Sequence, residues 1–201
     1  MPMQWKNTLA RYGAVAQLFH WAIVALIITQ FVLAQRAEGL SPVAKIGVLA
    51  THKSVGITIL GLALLRLAWR LFNPVPPPPS GTPRWQQRAA HVSHFLLYAL
   101  LFITPVLGWL MSSARAFSVS WFGLVTLPDF IEPNRAAFER LHDAHEAMAK
   151  TLAALALVHV AAALKHHFID RDDVLRRMLP LPARRAAAPV ETAQPDHAPH
   201  S

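Results

Sequence analysis

The sequence contains no cysteine among its 201 residues. This absence excludes disulfides, iron–sulfur clusters, thiolate ligands and covalent cofactor attachment through C-x-x-C-H, so any metal centre must use histidine, carboxylate or methionine. Charge is also scarce, because Asp, Glu, Lys and Arg make up only 15% of the chain, against about 25% in an ordinary soluble domain. Together with 54% hydrophobic residues, this composition predicts a polytopic membrane protein.

The net charge of +8 comes from basic residues that lie at the ends of apolar runs. A nucleic-acid-binding protein gathers its basic residues on one polar face instead, so we expect no nucleic-acid partner. The sequence also shows no signal peptide with a small-residue cleavage site, and its first apolar run is too long to be the core of one.

Four apolar runs are long enough to cross a bilayer as helices, which takes about 20 residues each. They cover residues 14–34, 46–65, 92–111 and 144–164. Pro105 and Gly108 predict a kink in the third span. The expected fold is therefore all-α, an integral membrane four-helix bundle in contact with lipid, with one domain over residues 1–180.

The segments between and after the spans differ in composition. Prolines between residues 73 and 83 fix φ and lack an N–H donor, so they predict a stiff extramembrane connector. The aromatic-rich stretch 112–140 predicts a lid packed on the membrane surface. Residues 181–201, rich in Pro, Ala and Arg, predict a disordered tail.

The distribution of basic residues predicts the orientation of the chain. With four spans, both termini and the proline-rich connector share one side of the membrane. That side holds twelve of the nineteen Lys and Arg residues. The positive-inside rule therefore places both termini in the cytoplasm, with the protein in a bacterial inner membrane.

His20, His52, His145 and His159 can each be assigned a depth in these spans. His145 and His159 are fourteen residues apart on one predicted helix, which puts them about 21 Å apart along its axis and nearly on the same face. Because the spans alternate in direction, His52 and His145 share the outer depth, and His20 and His159 share the cytoplasmic depth. One intramembrane histidine alone is as easily a hydrogen-bonded packing residue. Two pairs matched by depth are what two bis-histidine haems stacked across a four-helix bundle require.

Other histidines cluster at the cytoplasmic interface. His91 directly precedes the third span, His94 lies at its start, and His166 and His167 follow the fourth. We interpret them as interfacial side chains or contacts to haem propionates, with proton transfer as the alternative.

The sequence resembles the prokaryotic cytochrome b561 family over about residues 7–180. The resemblance rests on LFHW, on THKSVGITIL, on the NP-x-PPP connector and on HEAMAKTLAALALVHVAAALKHHF. It implies that His20, His52, His145 and His159 bind two non-covalent b haems. It also implies electron transfer between a small outer donor and membrane ubiquinone, and it is greatest to small stand-alone members, one of which is a superoxide:ubiquinone oxidoreductase.

Three basic residues are candidates for the chemistry that this resemblance implies. Superoxide is a small anion, so an enzyme that oxidises it needs positive charge near the outer haem. Lys53, next to His52 inside a span, is the candidate catalytic residue, although it could merely anchor the helix among the headgroups. Arg66 and Arg70 lie at the depth of the inner haem and suit its propionates through bidentate contacts.

Two alternative functions remain open from the sequence. The chain could be a cytochrome subunit that links a hydrogenase or dehydrogenase partner to quinone, in which case only the stretch 112–140 offers a docking segment. It could also be a histidine-lined metal-ion transporter. A transporter needs a continuous polar path, and between His145 and His159 the only charged residues are Glu146 and Lys150, near the outer end.

Overall fold

The computed structural model describes residues 4–180 of the chain, so the tail predicted at 181–201 lies outside the described residues. Four long helices make up most of this range: α1 (Ala14–Glu38), α2 (Pro42–Phe72), α3 (Arg84–Ala114) and α4 (Arg135–Lys165). A short antiparallel ribbon, β1 (Ser120–Trp121) and β2 (Val125–Thr126), lies between α3 and α4. A π-helical turn (His166–Asp170) continues α4, and a 3-10 turn follows at Arg176–Met178.

All four helices are long and apolar enough to cross a membrane. They pack in sequence, with α1 on α2, α2 on α3 and α3 on α4. A core of buried apolar residues joins the four helices: Ile23, Val55, Ile59, Ala63, Leu100, Leu101 and Leu152. Many large apolar side chains point outward instead, such as Leu157, which is 72% exposed, as expected where lipid is the solvent. The predicted fold class, an all-α integral membrane four-helix bundle, is confirmed.

Each predicted span lies inside one helix, but every helix is longer than its span. Hydropathy detects only the part of a helix that crosses the hydrocarbon, whereas the backbone stays helical into the interface. α3 runs on to Ala114, and α4 already begins at Arg135, where the side chain of Asn134 caps it by accepting from Ala137 N at 2.9 Å. The connection predicted at 112–140 is therefore only residues 115–134.

The proline-rich connector forms no regular structure between Phe72 and Arg84. It is held by both ends of the described chain: Asn7 donates to the carbonyl of Pro74 at 3.0 Å, and Arg177 donates to that of Pro77 at 2.6 Å. The N-terminal segment, the connector and the segment after α4 thus lie together at one end of the bundle.

Candidate metal centres

The bundle interior contains two pairs of facing histidines at two depths. His52 on α2 faces His145 on α4, with ring centroids 6.3 Å apart and ring planes at 73°. His20 on α1 faces His159 on α4, with centroids 6.4 Å apart and planes at 70°. The structure thus brings together the same histidines that the depth argument pairs. We call these the outer and the inner pair.

The separation within each pair fits two ligands on opposite sides of one metal ion. A metal–imidazole bond is about 2.0 Å, and the ring centroid lies about 1.1 Å behind its nitrogen, so two opposed ligands have centroids about 6.2 Å apart. Direct imidazole packing does not require this gap, yet both pairs show it. The donor set, two imidazoles and no thiolate, is the one that bis-histidine haem b uses.

The outer pair is supported by the backbone of α3. Nδ1 of His145 donates to the carbonyl oxygen of Thr104 at 2.9 Å. A Cβ on Gly108 would lie 3.1 Å from Cε1 and 3.2 Å from Nδ1 of this ring, so the absent side chain is what lets the imidazole lie on the helix. With its proton on Nδ1, His145 presents the lone pair of Nε2 to a metal. Gly108 therefore makes room for the ring of His145, a role that the predicted kink does not imply.

His52 lacks the protein partner that His145 has. Its Nδ1 is buried and has no hydrogen-bond partner among residues 4–180. Leaving a buried polar atom unpaired costs about 1–3 kcal/mol, and the nearby backbone of Gln30 offsets part of this cost. The two rings of the outer pair are thus held unequally, His145 by a close hydrogen bond and His52 without one.

The inner pair has a cation beside it. Nη1 of Arg66 donates to Nδ1 of His20 at 2.8 Å, and its guanidinium lies 5.8 Å from the centroid of the Tyr98 ring. Since arginine only donates, Nδ1 must accept, and the proton of a neutral His20 is then on Nε2. A metal bound to Nε2 takes up the lone pair of that nitrogen, and the proton of a neutral His20 must then lie on Nδ1. Nδ1 can no longer accept from Arg66, so this hydrogen bond cannot persist once a metal is bound.

Arg66 and Arg70 form no ion pair with another described residue. The sequence has no Asp or Glu between Glu38 and Asp129, so neither arginine has an acidic neighbour on α2 or α3. Two arginines without a counter-charge beside the inner pair fit the carboxylates of a haem.

A third histidine, which the sequence predicts at the interface or on a haem propionate, lies at the inner pair. The ring of His94 on α3 has its centroid 5.4 Å from that of His159, with planes at 63°. The signal that could have found it is spacing, because His94 and Gly108 are fourteen residues apart, like His159 and His145.

Lys53, half-buried beside His52, is tied to the segment that covers the outer end. Its Nζ donates to the carbonyl of Phe117 at 2.7 Å and lies 3.9 Å from the centroid of that phenyl ring. Further along α2, Ser54 accepts from Phe122 N at 2.9 Å, and Thr58 accepts from the indole N–H of Trp121 at 3.1 Å. Residues 115–134 thus form a lid fastened to the outer half of α2.

Four membrane-spanning helices with two facing histidine pairs define the class of membrane b-type cytochromes. The profile of the family described as "Prokaryotic cytochrome b561" matches residues 11–181. The chain belongs to the prokaryotic cytochrome b561 family, which confirms the resemblance seen in its motifs. It is accordingly an inner-membrane electron-transfer protein that binds b-type haem.

Curated relatives cover nearly the whole chain. It is 35% identical over 180 residues to "Cytochrome b561 homolog 2" of Escherichia coli (strain K12), which is 88% of this chain and 95% of the relative. It is 28% identical over 171 residues to "Probable superoxide oxidase CybB" of Yersinia pestis, 85% of this chain and 96% of the relative. It is 26% identical over 174 residues to "Cytochrome b562" of Cereibacter sphaeroides, 84% and 94%.

Proposed function

We propose that this protein holds two b haems, one between each histidine pair, and transfers electrons from superoxide on the outer side to ubiquinone in the membrane. The observation that carries the proposal is the pair of centroid separations, 6.3 Å and 6.4 Å, at two depths of one bundle. Similarity to a relative named as a probable superoxide oxidase supports the choice of donor.

One set of residues would hold the outer haem and another set the inner haem. A bound haem supplies an iron that takes up and releases one electron. His52 and His145 hold the outer group, with the carbonyl of Thr104 orienting His145. His20 and His159 hold the inner group, and Arg66 and Arg70 take its propionates, for which Arg66 leaves Nδ1 of His20.

The overall reaction balances across two sites. Two superoxide anions each give up one electron at the outer side and leave as two molecules of O₂. One ubiquinone takes up these two electrons and two protons and becomes ubiquinol. His145 and His159 lie about 21 Å apart along α4. The two haems that they hold would therefore span much of the roughly 30 Å hydrocarbon core.

Charge and the arrangement of the described segments support one orientation in the membrane. The N-terminal segment, the connector and the segment after α4 lie at one end of the bundle, and this end carries the larger share of the basic residues. We therefore place it in the cytoplasm. The lid of residues 115–134 then faces the periplasm, where it covers the outer pair.

Stopped-flow mixing of the oxidised protein with superoxide tests the reaction. We expect haem reduction within the lifetime of superoxide, followed by reoxidation when ubiquinone is present. Protein without haem is the control for spontaneous dismutation. A protein that superoxide does not reduce, but that a hydrogenase or dehydrogenase partner does, would establish the subunit alternative instead.

Replacing Lys53 with glutamine tests its part in the donor site. Removing one positive charge near the path of a small anion should lower the rate of reduction by superoxide about two- to fivefold, or roughly 0.4–1 kcal/mol, and weaken the dependence on salt. The rate of reoxidation by quinone should not change.

Lys45→Gln is the matched control, because it removes the same charge from the same helix two turns away. If Lys53→Gln leaves the superoxide rate and its salt dependence intact, Lys53 only fastens the lid through Phe117 and is not part of the donor site.

A further inference from the structure

α3 supplies no haem ligand, yet it contacts both ligands on α4. Gly108 lies against His145, where a Cβ would be 3.1 Å from the ring. His94 lies against His159, with the ring centroids 5.4 Å apart. The step from Gly108 to His94 is fourteen residues, as is the step from His145 to His159. Because the two helices run antiparallel, His94 and Gly108 occupy equivalent places opposite the inner and the outer ligand.

Gly108 and His94 leave different hydrogen-bond acceptors on α3 for the histidines of α4. At the outer place glycine leaves the backbone open, and His145 donates to the carbonyl of Thr104, four residues earlier. At the inner place an imidazole stands between His159 and the backbone of α3. Two imidazoles joined by an N–H···N hydrogen bond have centroids about 5.1 Å apart, given about 2.9 Å between the nitrogens. The observed separation is 5.4 Å with ring planes at 63°, so the two rings meet edge to face and are within a small movement of this geometry without yet forming the hydrogen bond.

We propose that His94 is the positioning residue of the inner haem: with the haem bound, it accepts a hydrogen bond from Nδ1–H of His159, in the role that the carbonyl of Thr104 has for His145. The bond directs Nε2 of His159 to the metal and keeps the ring from rotating. This inference rests on the proposed inner haem but not on the identity of the electron donor. His94 is not itself an axial ligand, because 5.4 Å is too short for two opposed ligands, which need about 6.2 Å.

The test compares two substitutions of His94 with one at His91. His94→Leu fills much of the space without an acceptor, whereas His94→Gln offers a carbonyl oxygen. His91, one turn earlier on α3, is exposed and bonded to the carbonyl of Gln87, so His91→Leu is the matched control. The measurement is the rate and extent of haem transfer from each purified holoprotein to apomyoglobin, with the outer haem of the same molecule as internal reference.

Loss of a hydrogen-bond partner behind a metal ligand typically lowers metal affinity 10- to 100-fold. We therefore expect His94→Leu to weaken inner-haem binding by that factor, His94→Gln to recover most of it, and His91→Leu to have no effect. Outer-haem binding should be the same in all three. Equal inner-haem affinity in wild type and His94→Leu would overturn the proposal, and so would equal loss in the Leu and Gln variants.

Electron paramagnetic resonance of the oxidised protein gives a second readout that does not depend on folding yield. If His20 and His159 hold a ferric haem with their ring planes at the observed 70°, its low-spin signal would be strongly anisotropic. His94→Leu should shift the inner signal, because the plane of His159 is released, and leave the outer signal in place. An unshifted inner signal would contradict a positioning role. Failure to react with superoxide would refute the proposed donor without changing either readout.

Discussion

Replacing His145 with alanine should remove the outer haem and leave the inner haem bound, so that the haem content falls from two per chain to one. The ring of His145 faces His52 at 6.3 Å and has no part in the inner pair. The two ligands on α4 lie about 21 Å apart along the helix, so the loss of one should not disturb the other. His52→Ala should remove the same spectral species, and His20→Ala or His159→Ala should remove the other one.

The measurement is haem content per chain together with the optical spectrum of the haem that remains. His142→Ala is the matched control, since His142 lies on the same helix within one turn of His145 but is exposed. If loss of His52 and loss of His159 removed the same species, the pairing by depth would be wrong.

Gly108→Leu should also abolish the outer haem, although position 108 provides no ligand. The first carbon of any side chain there meets the His145 ring at 3.1 Å, so a leucine has to push the imidazole away from α3. The hydrogen bond to Thr104 is then lost, and Nε2 no longer points at the metal. Gly108→Ala should have a smaller effect, about a 10- to 100-fold loss of outer-haem affinity.

Gly61→Leu is the control for Gly108→Leu, because a Cβ at Gly61 meets nothing within 4 Å. Glycine in a helix interior is less favourable than alanine by about 1 kcal/mol, so a general effect of losing glycine should stabilise the helix at both places. A Gly108→Leu protein that still carries two haems would show that His145 does not need the backbone of α3.

The sequence predicts the fold and the pairing of His20 with His159 and of His52 with His145, because both follow from depth. Hydropathy gives the spans, and alternating direction gives each histidine its level in the membrane. The depth of a residue in the membrane does not show which side chains of other helices lie beside it. This is why His94 was assigned to the interface, although the structure places it against His159.

Contacts between segments that are distant in sequence also cannot be predicted from hydropathy or residue spacing. Lys53 is fastened to Phe117, sixty-four residues later, and the path of that lid is not encoded in any periodicity. The sequence predicts that Arg66 contacts a propionate, but it does not reveal that Nη1 of Arg66 lies 2.8 Å from Nδ1 of His20. The sequence predicts a helix kink at Gly108. Only the packed structure shows that its missing Cβ makes room for the ring of His145.

Pyridine haemochrome analysis of the purified, full-length protein tests the two-centre arrangement most directly. Because the chain has no cysteine, both haems should be extractable with acidified acetone and should give the spectrum of haem b. The expected result is two haems per chain. One haem b per chain, or none, would contradict the arrangement of two stacked histidine pairs as two metal centres.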